Sequence, residues 1–225
     1  MGYIPQVHLT NHVRLKGQKD VKCTGSSFLI AYNNQIFACT HAELLTSAFG
    51  VNPGIKNKNE IPDIVTEWIL SPRIFSKGFF IKKSVIENPM RVIKYLNLNS
   101  PSKILLMDVN TIPKEGNYTG IRLSGTEVKN EMTIMVTTCP SNRKDTPQEF
   151  YFGHVISDDA DGLFAFVLDE KIAHRGVSGS PVGDSNGGLI GMIVAFTYVE
   201  EQLIFFAERI TQLKKDLLDN FGESL

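Results

Sequence analysis

The sequence of 225 residues predicts an all-β protein closed by a C-terminal helix. Short apolar runs of strand length recur along it, separated by clusters of Asn, Gly, Pro, Ser and Asp. They do not alternate with helical stretches as the strands of a doubly wound sheet would. One stretch has strong helical periodicity: in "AERITQLKKDLLDNF", Ile210, Leu213, Leu217 and Phe221 recur at steps of three, four and four residues and share one face. With 42% hydrophobic residues, the chain can bury a full-sized core as one domain or as two small halves.

In chain order, "VHLTNHVRL" alternates as a strand does. "SSFLIAYNNQIFACTHA" reads as a hairpin turning at Asn33-Asn34, because Asn tolerates positive φ. Further strands are expected at "EWILS", "GFFIKKSVI", "KILLMDV", "EMTIMVTT", "EFYFGHVIS", "LFAFVLD" and "GLIGMIVAF", with turns at "NPG", "SPSK", "SDDADG" and "DSNGG". "PMRVIKYL" is read as a short helix. The loop-rich "TIPKEGNYTGIRLSGTEVKN" is the expected connection between halves, giving units at 1–112 and 113–206, then a helix and tail at 207–225.

A formal net charge of −1 supplies no basic field for nucleic acid and no acidic tail. Cys23, Cys39 and Cys139 are odd in number and form no C-x-x-C pair, which argues against a disulfide framework and for a reducing compartment. No signal-peptide pattern opens the chain, Gln6 breaks the myristoylation pattern begun by Gly2, and no apolar run reaches membrane-span length. The expectation is a cytoplasmic protein with no membrane or nucleic-acid partner. His8 and His12 lie on a strand-like segment with no further ligand nearby, so no metal site is expected there. Cys39, beside His41, is read either as a reactive thiol or as a small strand residue packed behind the histidine.

"HRGVSGSPVGD" concentrates glycines, serines and a proline before an apolar strand. A nucleophile needs a sharp turn whose N–H groups can receive an oxyanion, and the glycines of Gly176-Val177-Ser178-Gly179-Ser180-Pro181 allow one around Ser178. The segment fits G-x-S-G-x-P and not the G-x-S-x-G elbow, because Ser180 holds the last glycine position.

Here the chain resembles the chymotrypsin-fold (trypsin-like) serine proteases, closest in pattern to their intracellular, HtrA-like and viral branches. "GSSFLIAYNNQIFACTHAELL" is similar to the family's first hairpin, which ends at its histidine, and "PVGDSNGGLIGMIVAF" to the hairpin after its serine, with Asn186-Gly187 in the turn. "FFAERITQL" resembles the family's closing strand and helix. The resemblance implies two six-stranded antiparallel β-barrels and a C-terminal α-helix. It implies Ser178 as nucleophile, His41 as general base, and the N–H groups of Gly176 and Ser178 as the oxyanion hole. No metal or cofactor would be needed, and the substrate would be a peptide or protein. Ile172, Phe196 and Thr197 would line the pocket for the residue before the scissile bond, with a preference for an uncharged side chain. Val177 departs from the secreted trypsins, which hold there an aspartate that pairs with a newly cut N-terminus.

The triad acid is open at this level. The strand that the family's aspartate would lead is "SPSKILLMDV", whose leading position holds Lys103 or Ser102. Asp108 sits further along the same strand on its opposite face, about 17 Å on. Asp63, in "IPDIVTEW", follows His41 at the short spacing of compact viral proteases and is the candidate acid, with Glu67 and Glu87 as alternatives. With no acid at all the chain is a slow Ser–His dyad or a protease-derived module that binds proteins without cutting them.

Overall fold

The structure is a computed structural model describing residues 6–19, 21–45, 57–72, 89–112, 118–140, 148–158 and 162–223, and of 21–24 the backbone alone. Strands β1 (His8–Leu15), β2 (Val21–Tyr32), β3 (Gln35–His41), β4 (Val65–Ser71), β5 (Met90–Tyr95) and β6 (Ile104–Val109) run in the sheet order β1-β4-β5-β6-β3-β2, and the β1–β2 pairing closes them into a barrel. The short β7 (Ile121–Arg122) joins the far edge of β2 in parallel. Strands β8 (Thr133–Thr138), β9 (Glu149–Ser157), β10 (Leu163–Leu168), β11 (Pro181–Asp184), β12 (Leu189–Val199) and β13 (Gln202–Arg209) form a second closed barrel, in the order β10-β13-β12-β11-β8-β9. A four-residue helix, α1 (Ile61–Ile64), leads into β4, and α2 (Thr211–Phe221) ends the fold. The expected architecture of two six-stranded antiparallel barrels and a terminal helix is the one observed.

Each barrel fills itself. Leu9, Val13, Leu29, Trp68, Leu105 and Met107 meet inside the first. Val136, Tyr151, Phe164, Phe166, Ile193 and Phe205 meet inside the second. A third apolar cluster joins them: Phe28, Phe37, Cys39 and Leu106 of the first barrel meet Met192 of β12 and Ile210, Leu213 and Leu217 of the terminal segment. The periodic face of α2 is therefore buried against the barrel far from it in sequence. Phe221 packs against Phe37 at 4.6 Å between centroids, the rings tilted, and Asn97 donates to the buried carboxylate of Asp216 at 2.6 Å.

The hairpin at Asn33-Asn34 is present, with φ of 48° and 60°. The helical reading of "PMRVIKYL" is corrected, since Met90–Tyr95 is strand β5. Met90 is buried and Val92 packs on the core while Ile93 is 62% exposed, a two-residue alternation that the short segment hides. The β-branched Val92 and Ile93 suit that backbone, and β4 and β6 pair it on both sides. The expected strand "GFFIKKSVI" and Asn117 of the "NYT" sequon lie outside the described residues. No described helix is long and apolar enough to cross a membrane.

Candidate active site

The segment Gly176–Pro181 turns sharply between β10 and β11, with φ of +90° at Gly176 and +85° at Gly179. Only glycine adopts such values without strain, which is why the turn is built on that residue. The second barrel holds it from one side. Val177 is buried in that barrel's core, Gly179 N–H donates to Ile193 O at 2.8 Å, and Ser180 Oγ donates to Thr138 Oγ1 at 2.7 Å. The first barrel holds it from the other side through Ser26 of β2. Ser26 N–H donates to Ser178 O at 2.9 Å, and Ser26 Oγ donates to Gly176 O at 2.6 Å. Neither the N–H of Gly176 nor that of Ser178 donates to a described residue.

His41 is the last residue of β3, before a 3₁₀ turn over Ala42–Leu45. Its neighbour Thr40 donates from Oγ1 to Ser26 O at 2.7 Å. A Cβ on Gly179 would stand 2.2 Å from that same Ser26 carbonyl oxygen and 3.3 Å from Thr40 Oγ1. The residue before His41 and the residue after Ser178 thus meet at one point of the seam between the barrels. The two sequence-expected residues therefore flank one seam, with Ser178 7% and His41 0% exposed.

Among the described residues, Glu43 and Lys103 act electrostatically on the imidazole. Glu43 Oε2 is 3.6 Å from His41 Nε2, and Lys103 Nζ is 3.4 Å from Glu43 Oε1. Burial drives the His41 pKa from 6.5 down to about 4; Glu43 pulls it back up and Lys103 adds to the fall. The imidazole is therefore neutral at pH 7, the form in which it can take a proton. Cys39, directly behind on β3, is fully buried, and burial pushes its thiol well up, which makes it unreactive.

The other described candidate carboxylates make their contacts elsewhere. Asp63 is exposed on α1 and is not among the charges that shift His41. Glu67 pairs with Arg14 at 3.1 Å and Arg91 at 3.6 Å. Asp108 lies opposite Lys94 on β5, and Glu87 lies outside the described residues. At the head of β6 stand Ser102 and Lys103, as their place in the sequence implied, and Ala42 N–H donates to Lys103 O at 2.8 Å. A carboxylate does reach that position from the other barrel. Glu208 of β13 accepts from Ser102 Oγ and from Lys103 N–H, each at 2.8 Å. Its burial raises its pKa, against the donors that lower it.

Sequence reasoning missed both Glu43 and Glu208. Glu43 was detectable, since a turn directly after β3 returns residue 43 towards residue 41. Glu208 left no local signal, because its contacts cross about a hundred residues. Of the residues expected to contact substrate, Ile172 is half-buried against the second core, Phe196 is 36% exposed and Thr197 is exposed. Phe196 packs against His174 at 4.4 Å between centroids, the rings tilted, and His174 Nδ1 is 3.1 Å from the Tyr198 hydroxyl. His8 and His12 meet serines, Ser26 Oγ at 2.7 Å and Ser71 Oγ at 2.9 Å. Among the described residues no cluster of three His, Cys, Asp or Glu side chains is arranged to hold a metal.

No protein-family model matches the chain, and no curated protein matches its sequence. Its structure is similar to that of the Rv3671c protease from M. tuberculosis in its active form, with a TM-score of 0.60 and 11% identity over 97% of this chain and 82% of that one. The same protease in an inactive form gives a TM-score of 0.54 at 13% identity, over 95% of this chain and 88% of that one. The thermostable serine protease AL20 from an extremophilic microorganism gives 0.58 at 12% identity, over 92% and 94%. The chain has the chymotrypsin-like double-barrel fold.

Proposed function

We propose that the protein is a serine endopeptidase acting through an acyl-enzyme on Ser178, with His41 as its general base. The observation that supports this is the strapping of the serine turn onto Ser26, the strand residue that also accepts from Thr40 beside His41, with the N–H groups of Gly176 and Ser178 donating to no described residue. The Ser178 hydroxyl would lose its proton to His41 as its oxygen bonds to the scissile carbonyl carbon. The carbonyl oxygen, now negative, would be received by the two N–H groups. As the tetrahedral species collapses, His41 would return the proton to the leaving amine, and water would then hydrolyse the ester by the same steps. No cofactor takes part. Ile172, Phe196 and Thr197 would border an uncharged pocket for the residue before the cut.

For the imidazolium formed in passing, Glu43 is the described carboxylate at hand, while Lys103 opposes the charge. Asp63 remains a proposed acid from sequence alone. A second reading, a protein-binding module without turnover, is favoured by Ser102 and Lys103 at the head of β6. The deciding experiment is incubation with a fluorophosphonate probe, followed by intact mass and peptide mapping. One adduct located on Ser178 is expected, and a folded wild-type protein that takes up none would leave the binding module.

The pH dependence follows from His41. Its folded-state value near 4 lies below the ordinary 6.5, so between those values the unfolded chain binds more protons. This contribution to stability is complete above pH 6.5 and is lost as pH falls towards 4. The acid limb of kcat/KM should accordingly lie near pH 4. Glu43→Gln should move that limb lower and Lys103→Met should move it higher. Profiles of all three proteins test this, and a common limb near 6.5 would mean that neither burial nor these neighbours set the base.

A further inference from the structure

Val177 leaves the serine turn without an acidic side chain to anchor it, yet Gly176 sits at φ +90°, where glycine's freedom gives no rigidity of its own. A buried chain of polar groups reaches that residue from the first barrel. His8, on β1 and 2% exposed, places Nε2 at 2.7 Å from Ser26 Oγ, and Ser26 Oγ lies 2.6 Å from Gly176 O. The carbonyl oxygen can only accept, so the single hydroxyl proton of Ser26 goes to it. Ser26 Oγ is then the acceptor for His8, whose proton must sit on Nε2. The His8 backbone is itself fixed across the barrels. The side-chain oxygen of Gln148, which directly precedes β9, accepts from the N–H of His8 and of Val7, each at 3.1 Å, and Gln6 Nε2 donates to His8 O.

We propose that His8 and Ser26 are positioning residues for the oxyanion hole, with the donor chain His8 Nε2–H to Ser26 Oγ–H to Gly176 C=O fixing the turn that presents the Gly176 and Ser178 N–H groups. This rests on the acyl-enzyme reading above. Without the Ser26 hydroxyl the Gly176 carbonyl loses its donor, while Ser26 N–H to Ser178 O and Gly179 N–H to Ile193 O still hold the turn in place. The peptide after Gly176 then keeps only the long Val177 N–H to His174 O contact, at 3.4 Å, and is held less tightly within an otherwise intact fold. The effect falls on the step in which negative charge reaches the hole and leaves ground-state binding alone.

Kinetics of fluorophosphonate inactivation separate the two, because the phosphoryl oxygen occupies the hole only as the adduct forms. Ser26→Ala should lower the limiting rate of phosphonylation about tenfold, the worth of one hydrogen bond, at an unchanged half-saturating probe concentration. His8→Leu should lower it too, and His8→Gln, which keeps an N–H donor, should recover part of the loss. Limiting rates equal to wild type in Ser26→Ala would overturn the positioning role while leaving the acyl-enzyme intact. An inert wild type would remove both. A second measurement needs no variant: long-range ¹H–¹⁵N spectra of the wild-type histidines should show His8 as the Nε2–H tautomer with a slowly exchanging proton, and an Nδ1–H tautomer would contradict the proposed chain.

Discussion

Replacing His41 with alanine should slow both phosphonylation of Ser178 and peptide hydrolysis by about 10⁶-fold, the loss seen when the base of a serine–histidine pair is removed. A serine hydroxyl is a poor nucleophile without a base to take its proton, and the imidazole is held neutral in readiness by its burial. Loss of the side chain also removes the group that reprotonates the leaving amine, so neither half of the reaction proceeds. His41 is fully buried, so the variant carries a cavity and its thermal unfolding must be compared with wild type first. A folded His41→Ala protein labelled at the wild-type rate would sink the assignment of His41 as base. Residual labelling at a low rate is the expected remainder from the two N–H groups.

His41 and Ser178 were legible in the sequence because both sit in local patterns. One ends a hairpin marked by Asn33-Asn34, and the other lies in a turn that needs glycine at two positions of positive φ. The terminal helix was legible for a similar reason, since its buried face repeats within eleven residues. "PMRVIKYL" misled because a six-residue strand is too short to separate two periods by itself, and the pairing with β4 and β6 decided it. The surroundings of His41 were legible in part. Lys103 or Ser102 was expected where the family's acid would stand, and Lys103 lies 3.4 Å from Glu43, the described carboxylate 3.6 Å from the imidazole, which family spacing did not suggest. The link from His8 through Ser26 to Gly176 spans 150 residues at its last step, and such a contact exists only once both barrels have closed. Strand patterns fix which face of a residue is buried. They say nothing about which distant carbonyl it will meet.

The serine turn's dependence on that closure gives the second large effect. Gly179→Ala should destabilise the protein by about 2–5 kcal/mol, from about 1–2 for a side chain forced into the left-handed region and about 1–3 for overpacking. The added Cβ would lie 2.2 Å from Ser26 O, which is backbone of a paired strand and accepts from Thr40 Oγ1, so it cannot swing aside. Either the barrels part at this seam or the turn shifts, and a shifted turn carries Ser178 away from His41. Gly187→Ala is the matched control: its φ is +78°, close to the +85° of Gly179, but a Cβ there meets nothing within 4 Å. It should cost only the backbone share, about 1–2 kcal/mol, and keep fluorophosphonate labelling. Thermal unfolding and labelling rates of the two variants check this. Equal destabilisation with equal labelling would mean that the seam at Ser26 is soft, and that the serine turn does not depend on the first barrel for its place.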